Sequence, residues 1–309
     1  MKIAIGADVG GTAVKLGSFS ESGELLKKWD IKTDVSEHGK NIIPDIAKSI
    51  KAMVSSEGYE LTGVGMGVPG PVAEDGHIPT CVNLGWKDCY PARELSELLG
   101  GTKVNLENDA NAAALGESWM GGAKGARDAF LITLGTGIGG GLILGGKIRR
   151  GRTGICGEVG HMHITDEIHE VCNCGCIGCL EQVASATGIV RVAKMVLASS
   201  DEPSVLRDVA DRLSAKMVCD GAKAGDRLAM QSLEKSCAYL GLAMSHVSLA
   251  VEPDTFVLGG GVSKAGDILI ELSRKYYERY IKFTVKRADI VLATLGNDAG
   301  IYGAVRSLI

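Results

Sequence analysis

An α/β fold of two related halves facing a cleft is what this sequence predicts. One device, a strand, a glycine-rich turn and a second strand, occurs twice, and helix-like stretches follow each copy. The length of 309 residues agrees, because a chain of that size exceeds one ordinary core and divides into domains. Apolar residues make up 45% and charged residues 23%, the mixture of a globular chain with neither half disordered.

The first device opens the chain. Residues 2–7 alternate and are rich in β formers, the DVGGT run breaks the pattern, and 14–19 resumes it, which reads as a hairpin with a glycine-rich tip. A helix-like stretch at 41–56 follows. VGMGVPG at 64–70 reads as a buried strand ending in a proline-glycine turn. KVNLENDANAAALGE then carries a strand into a helix, predicted over 110–117 from four alanines and a leucine, all good helix formers. The second device starts at 129–134; GTGIGGG interrupts it, and 142–144 resumes before a turn at Gly145 and Gly146. Its helix-like stretch is 187–199. Further on, 256–258 is an apolar run into GGGVS, 288–295 is strand-like, and 299–308 is a glycine-punctuated helix. The expected division is a smaller lobe at 1–117, onto which the C-terminal helix at 299–309 packs back, and a larger lobe at 118–298, joined near residue 118.

A formal net charge of −4 gives no electrostatic reason to expect nucleic acid or an anionic membrane as partner. The N-terminal run MKIAIGADVGGT enters a strand with no long apolar core or small-residue cleavage site, so no secretory signal is read. No apolar run approaches the roughly 18 residues that a membrane helix needs. Of nine cysteines, Cys172, Cys174, Cys176 and Cys179 crowd together at a spacing that suits a metal better than disulfides. The reducing cytoplasm is the expected compartment.

Glycine-rich hairpin tips let backbone amides approach phosphate oxygens, because no Cβ intrudes. Gly10, Gly11 and Thr12 form one candidate phosphate tip, and Gly135, Thr136 and Gly137 the other. Asp8 stands where a carboxylate can hold a nucleotide's Mg²⁺; Lys15 either faces phosphates or is simply solvated. Gly259, Gly260 and Gly261 either admit a nucleoside against the backbone or make an ordinary strand-to-helix turn. GTGIGG at 135–140 matches the dinucleotide fingerprint by letter, but a strand-like run follows it where that fingerprint opens a helix. Residues 141–147 spell most of a P-loop, yet Ile148 replaces the Ser or Thr that binds Mg²⁺. Both of these motifs are rejected.

DVGGTAVK, ENDANAAALGE, LGTGIGGG, GEVGH and CNCGCIGCLE, with GGGVS downstream, together resemble the ROK family of sugar kinases and sugar-responsive repressors in order and spacing, over nearly the whole chain. CLEQVASATGIVR and NLGW look most like the bacterial glucokinases of that family. The resemblance implies an actin-like, ribonuclease H-like fold of two lobes that close over ATP and sugar, transfer of phosphate to the 6-hydroxyl of a hexose with glucose foremost, and a homodimer or homotetramer.

It also implies roles for particular residues. Asp109 matches the family's catalytic base, which accepts the hydroxyl proton during phosphoryl transfer; read from its place before the alanine run alone, it is equally a helix N-cap. Asn108, Glu158, His161 and Glu181 resemble the family's sugar-hydroxyl ligands, together with Gly70. Such carboxylates and amides pair with adjacent ring hydroxyls, so a wrong epimer leaves buried groups unpaired. Cys172, Cys174 and Cys179 with an upstream histidine make a Cys₃His set suited to structural zinc. The family pattern gives the fourth ligand position to His161, with its other ring nitrogen toward the sugar. His163 and His169 are spare candidates, and Cys176 occupies a position the family pattern leaves free.

N-acetylglucosamine, N-acetylmannosamine, mannose and allose kinases of the same family are the alternatives, with the loop PVAEDGHIPTCVN after Gly70 expected to shape the pocket beside the sugar's second carbon. A sugar-responsive regulator is the remote alternative. The family's repressors carry a helix-turn-helix domain ahead of the kinase-like part, and a hairpin starting at residue 2 is expected to leave no room for one.

Overall fold

A computed structural model of the chain describes residues 1–283 and 286–308. Its last helix is α9, and the final residue of the expected 299–309 segment lies outside the described residues. In order, the first elements are β1 (Lys2–Val9), β2 (Ala13–Ser20), β3 (Leu25–Lys32), α1 (Ile42–Glu57), β4 (Glu60–Val68), a small hairpin of β5 (Ile78–Cys81) and β6 (Trp86–Cys89), α2 (Pro91–Leu98), β7 (Val104–Asn108) and α3 (Asp109–Met120). There follow β8 (Ala129–Leu134), β9 (Ile138–Leu144), β10 (Lys147–Arg149), α4 (Glu181–Ala184), α5 (Ala186–Ala198), α6 (Ala215–Lys223) and α7 (Arg227–Val251). The chain finishes with β11 (Thr255–Gly259), α8 (Asp267–Tyr280), β12 (Asp289–Leu292) and α9 (Ala299–Arg306).

The duplication read from the two glycine tips extends to the sheets. One runs β3-β2-β1-β4-β7 and the other β10-β9-β8-β11-β12. In the first, β1 is antiparallel to β2 and parallel to β4, which is parallel to β7. In the second, β9 and β10 are antiparallel, and β8, β11 and β12 run parallel. The two orders correspond position for position.

Two compact units result: Met1–Gly125, Gly141–Cys156 and Thr294–Ile309 form one, and Ala126–Gly140 and Gly157–Ala293 the other. The division differs from a cut at 117. Helix α3 runs on to Met120, and the stretch 141–156 joins the first unit, because Gly141 lies against α3 with its would-be Cβ 2.6 Å from the Ala114 Cβ. Strand β9 also starts at Ile138, earlier than the sequence predicts. Gly139, Gly140 and Gly141 lie within it; a Cβ on Gly140 would come 2.3 Å from the Gly157 carbonyl oxygen. Gly140 and Gly141 serve close approach rather than breaking the strand.

In the first unit, Ile3, Ile5, Val14, Leu16, Val64 and Met66 pack with Ile42, Ile46 and Ile50 of α1. On the other face Ile301 and Val305 of α9 meet Phe19. Glycine brings α9 close: added Cβ atoms would reach the Ile301 carbonyl oxygen at 2.1 Å from Gly6 and the Ala304 carbonyl oxygen at 1.8 Å from Gly65. In the second unit β11 is buried throughout, and Phe256 meets Phe130 and Tyr277. No helix among the described residues is long and apolar enough to cross a membrane.

Candidate active site

In the first unit the hairpin tip between β1 and β2 is closed by Gly10, whose amide donates to the Ala13 carbonyl at 3.0 Å and whose carbonyl accepts the Thr33 hydroxyl at 2.6 Å. The Thr12 carbonyl accepts the Thr33 amide, and a Cβ on Gly11 would lie 3.3 Å from the Asn83 carbonyl oxygen. Asp8 and Lys15 are register partners across the hairpin. Lys15 Nζ lies 3.7 Å from Asp8 Oδ2 and donates to the Asn297 carbonyl, so the lysine is tied to the unit. Burial pushes the Asp8 carboxyl above its ordinary value, against the pull of Lys15.

The junction of β7 and α3 is the most heavily bonded part of the first unit. Asn108, rather than Asp109, caps the helix: its Oδ1 accepts the amides of Ala110 and Asn111 at 3.0 and 3.1 Å. Its Nδ2 donates to the Gly70 carbonyl at 2.9 Å and to Asp109 Oδ1 at 3.1 Å. The structure thus corrects the capping alternative for Asp109, which falls on the first helical residue, where Oδ1 accepts the Ala110 amide at 2.8 Å. A helix N-terminus suits a carboxylate there. Gly70 holds φ +91°, a region glycine reaches without penalty.

Beneath this turn lie residues that sequence reasoning left without a role. Glu107 is fully buried; Oε1 accepts the Asn108 amide and Asn111 Nδ2, both at 3.0 Å. Oε2 takes Arg150 Nε at 2.8 Å and Nη2 at 2.7 Å. At the far end of α3 Glu117, also buried, accepts the amides of Gly122, Thr294 and Leu295. The signal for Glu117 was its spacing, on one helix face with Ala110 and Ala114.

In the second unit the tip between β8 and β9 is closed by the Gly135 amide on the Gly137 carbonyl at 2.9 Å. Beside it, a Cβ on Gly260 would lie 2.6 Å from the Leu134 carbonyl oxygen, and Gly260 holds φ +82°. Gly259 ends β11, and Gly261 opens a 3-10 turn. A cavity of about 310 Å³ is lined by Ala186, Ser214, Cys219, Gly261, Val262 and Ala265. Glu181 opens α4, and its Oε2 accepts the Ile138 amide at 2.9 Å. Glu158 sits just before a 3-10 turn that contains His161. Burial pushes its carboxyl up, His161 draws it down, and Glu181 adds a smaller upward push.

His161, Cys172, Cys174 and Cys179 gather with one donor atom each, all within 4.8 Å of one another. Cys174 Sγ is 3.6 Å from Cys179 Sγ, and Cys172 Sγ is 3.8 Å from His161 Nδ1. A tetrahedron with metal–sulfur bonds of about 2.3 Å has edges of about 3.8 Å, so the set fits a structural metal. Gly175 and Gly178, both at positive φ, let the loop wrap. The Cys176 amide brings the Cys174 thiol down to about 7, toward the ligating thiolate form; burial raises Cys179. Cys176 is exposed and outside the group. His163 instead bonds the Ile177 carbonyl and Asp166, and His169 is exposed.

Two sheets of one order, each opening on a glycine-tipped hairpin, define an actin-like, ribonuclease H-like fold. The chain belongs to the ROK family, whose profile matches residues 4–308. It is 40% identical to a glucokinase of Halalkalibacterium halodurans, over 97% of this chain and 92% of the relative. Among solved structures it resembles the ROK hexokinase of Thermus thermophilus, with a TM-score of 0.83 at 32% identity over 99% and 97% of the two chains. It also resembles a ROK glucokinase of Streptomyces griseus in complex with glucose and AMPPNP, with a TM-score of 0.75 at 32% identity over 98% of each chain.

Proposed function

We propose that this protein is an ATP-dependent glucokinase that converts D-glucose and ATP to D-glucose 6-phosphate and ADP in the cytoplasm, as a homodimer or homotetramer with no nucleic-acid or membrane partner. The observation that carries the reading is the Asn108–Asp109 turn: in a ROK chain, a carboxylate at the head of α3 is held by its neighbour's amide and by the Ala110 amide. Asp109 accepts the proton of the sugar's 6-hydroxyl. As that proton leaves, the oxygen forms a bond to the γ-phosphorus, the bond from phosphorus to the ADP oxygen breaks, and ADP departs with the electron pair.

Asn108, Glu158, His161 and Glu181 bind sugar hydroxyls, with Gly70 holding Asn108 in place. Gly10, Gly11 and Thr12 grip phosphates, with Lys15 adding charge. Gly135, Thr136 and Gly137 are phosphate-gripping too, and Gly259, Gly260 and Gly261 border the nucleoside. The adjoining apolar cavity supports a nucleotide donor. Asp8 is the carboxylate for Mg²⁺, which supplies charge neutralisation on the phosphates; a cation there would relieve the burial that raises its carboxyl. His161, Cys172, Cys174 and Cys179 hold zinc, and the three thiolates and one imidazole match its preference. Fixing His161 through Nδ1 leaves its other nitrogen oriented for sugar.

The test is a coupled assay of a hexose panel with ATP and with polyphosphate, alongside Asp109→Asn. Glucose with ATP is expected to give the highest kcat/KM. The variant is expected to keep glucose affinity by calorimetry and to lose about 10²–10⁴ in kcat. Near-normal turnover by Asp109→Asn would remove the base assignment, and a panel won by an N-acetylated hexose would remove the glucose assignment.

A further inference from the structure

The 135–137 tip is held by a single stretch of chain. Glu181 Oε2 accepts the Ile138 amide at 2.9 Å, the Ala186 amide donates to the Gly135 carbonyl at 2.8 Å, and the Thr187 hydroxyl donates to the Thr136 carbonyl at 2.9 Å. Ser185 ties this stretch to itself: its hydroxyl donates to the Glu181 carbonyl at 2.6 Å and accepts the Gly188 amide at the head of α5. The fit around the carboxylate is tight. A Cβ on Gly137 would lie 2.1 Å from Glu181 Oε2, so residue 137 has no side chain where the carboxylate stands.

The other end of the same carboxylate faces elsewhere. Glu181 Oε1 lies 3.8 Å from Cys172 Sγ of the metal-type cluster, and residue 181 follows Cys179 by two positions. A carboxylate offers about four lone-pair sites. One on Oε2 is taken by the tip and one on Oε1 by the Cys172 thiol, which leaves Oε1 a further site for a ligand hydroxyl.

We infer that Glu181 is a positioning residue that couples the two substrates: one oxygen holds the phosphate-gripping tip by the Ile138 amide, while the other takes a hydroxyl of the sugar. The inference rests on the sugar-kinase reading above and adds a thermodynamic link to it. Whichever ligand arrives first orders the carboxylate and the 181–187 stretch. The second then meets a site whose ordering cost has been met. Such a link is reciprocal, so sugar must tighten nucleotide by the same factor as nucleotide tightens sugar.

The experiment is titration calorimetry on the intact protein with glucose alone, with a non-hydrolysable ATP analogue alone, and with each in the presence of saturating amounts of the other. The wild type is expected to show mutual tightening of about 5–20-fold. Glu181→Gln is expected to bring that factor within twofold of unity and to weaken glucose binding. Thr187→Val touches the tip and not the sugar. It is expected to reduce the factor at least threefold while glucose affinity alone stays within twofold, and it keeps the test decisive should Glu181→Gln fold poorly. Independent binding of the two ligands by the wild type, or full coupling retained in both variants, would overturn the link and leave the kinase reading standing. A wild type that binds no hexose would take down both.

Discussion

Replacing Arg150 with methionine should destabilise the first unit more than most exposed-arginine substitutions would. The reason is Glu107, whose side chain is 1% exposed while that of Arg150 is 33% exposed. Its carboxylate has four hydrogen bonds, two of them from the guanidinium. Removing the arginine leaves a buried anion with one backbone and one side-chain amide. Breaking a fully buried pair costs about 3–5 kcal/mol; since Arg150 retains water, about 2–3 kcal/mol is expected here. Glu107→Gln keeps an acceptor for the Asn108 amide but turns an NH₂ group toward the guanidinium, at about 2 kcal/mol. The double variant removes both charges and should be no less stable than Arg150→Met alone, giving a coupling of about 2 kcal/mol or more. Urea unfolding followed by tryptophan fluorescence is the assay. The chain's three tryptophans, Trp29, Trp86 and Trp119, all fall within Met1–Gly125 of the first unit, so the signal reports the unit in question. Because the pair holds the turn that carries Asp109, kcat should fall about 10–100-fold in either single variant. A loss under about 0.5 kcal/mol for Arg150→Met, or additivity in the double variant within that margin, would refute the reasoning.

Three further outcomes are expected. Gly303→Ala would place a Cβ 1.5 Å from the Ala112 carbonyl oxygen and should cost about 3 kcal/mol or more; Gly58→Ala, at φ +64° with nothing near its Cβ, should cost about 1 kcal/mol, and similar melting temperatures for the two would contradict the packing argument. Cys174→Ala should abolish stoichiometric metal by elemental analysis whereas Cys176→Ala retains it, and a Cys176 variant without metal would redraw the ligand set. Burial raises the Asp8 carboxyl above 3.8, so the folded state binds its proton more readily than the unfolded one, and ionisation weakens the fold as pH rises from the ordinary carboxyl value through the raised one. Asp8→Asn should therefore melt higher than wild type at pH 7.5 in calorimetric scans, with the advantage shrinking as pH falls through the raised value; a lower melting point at pH 7.5 would count against it.

Much of the fold was legible because strands and glycine tips are local. Residues 129–134 are the bounds of β8, and the repeat of the opening device anticipated two sheets of one order. What sequence reading missed depends on neighbours distant in the chain. Gly140 and Gly141 look like strand breakers until the Gly157 carbonyl and the Ala114 side chain are seen where their Cβ atoms would stand. The extension of the first unit through 141–156 follows from the same approach. The metal-type cluster was legible in its cysteines because Cys172, Cys174 and Cys179 are neighbours in sequence; His161 came only from the family resemblance, with His163 a spare, and the fold gathers His161 with the three cysteines. His163 turns its ring to the Ile177 carbonyl and Asp166, which leaves it no part in the cluster.

Glu107 and Asp109 make the same point about chemistry. Both are carboxylates within one short ENDAN motif, and by residue type either can act as a base. Burial separates them: Glu107 has both oxygens committed to donors, one set of them cationic. Asp109 stands on the first residue of α3, where its Oδ1 accepts the side-chain amide of Asn108 and the backbone amide of Ala110. A base must offer an oxygen to the hydroxyl proton, and the fully buried Glu107 carboxylate, enclosed by its donors, is unsuited to that task. The alternation of side chains along β7 and the cap at Asn108 enforce the difference. A swap of the two identities, Glu107→Asp with Asp109→Glu, would preserve charge and composition while shortening the arm that reaches Arg150, and activity should be lost with it.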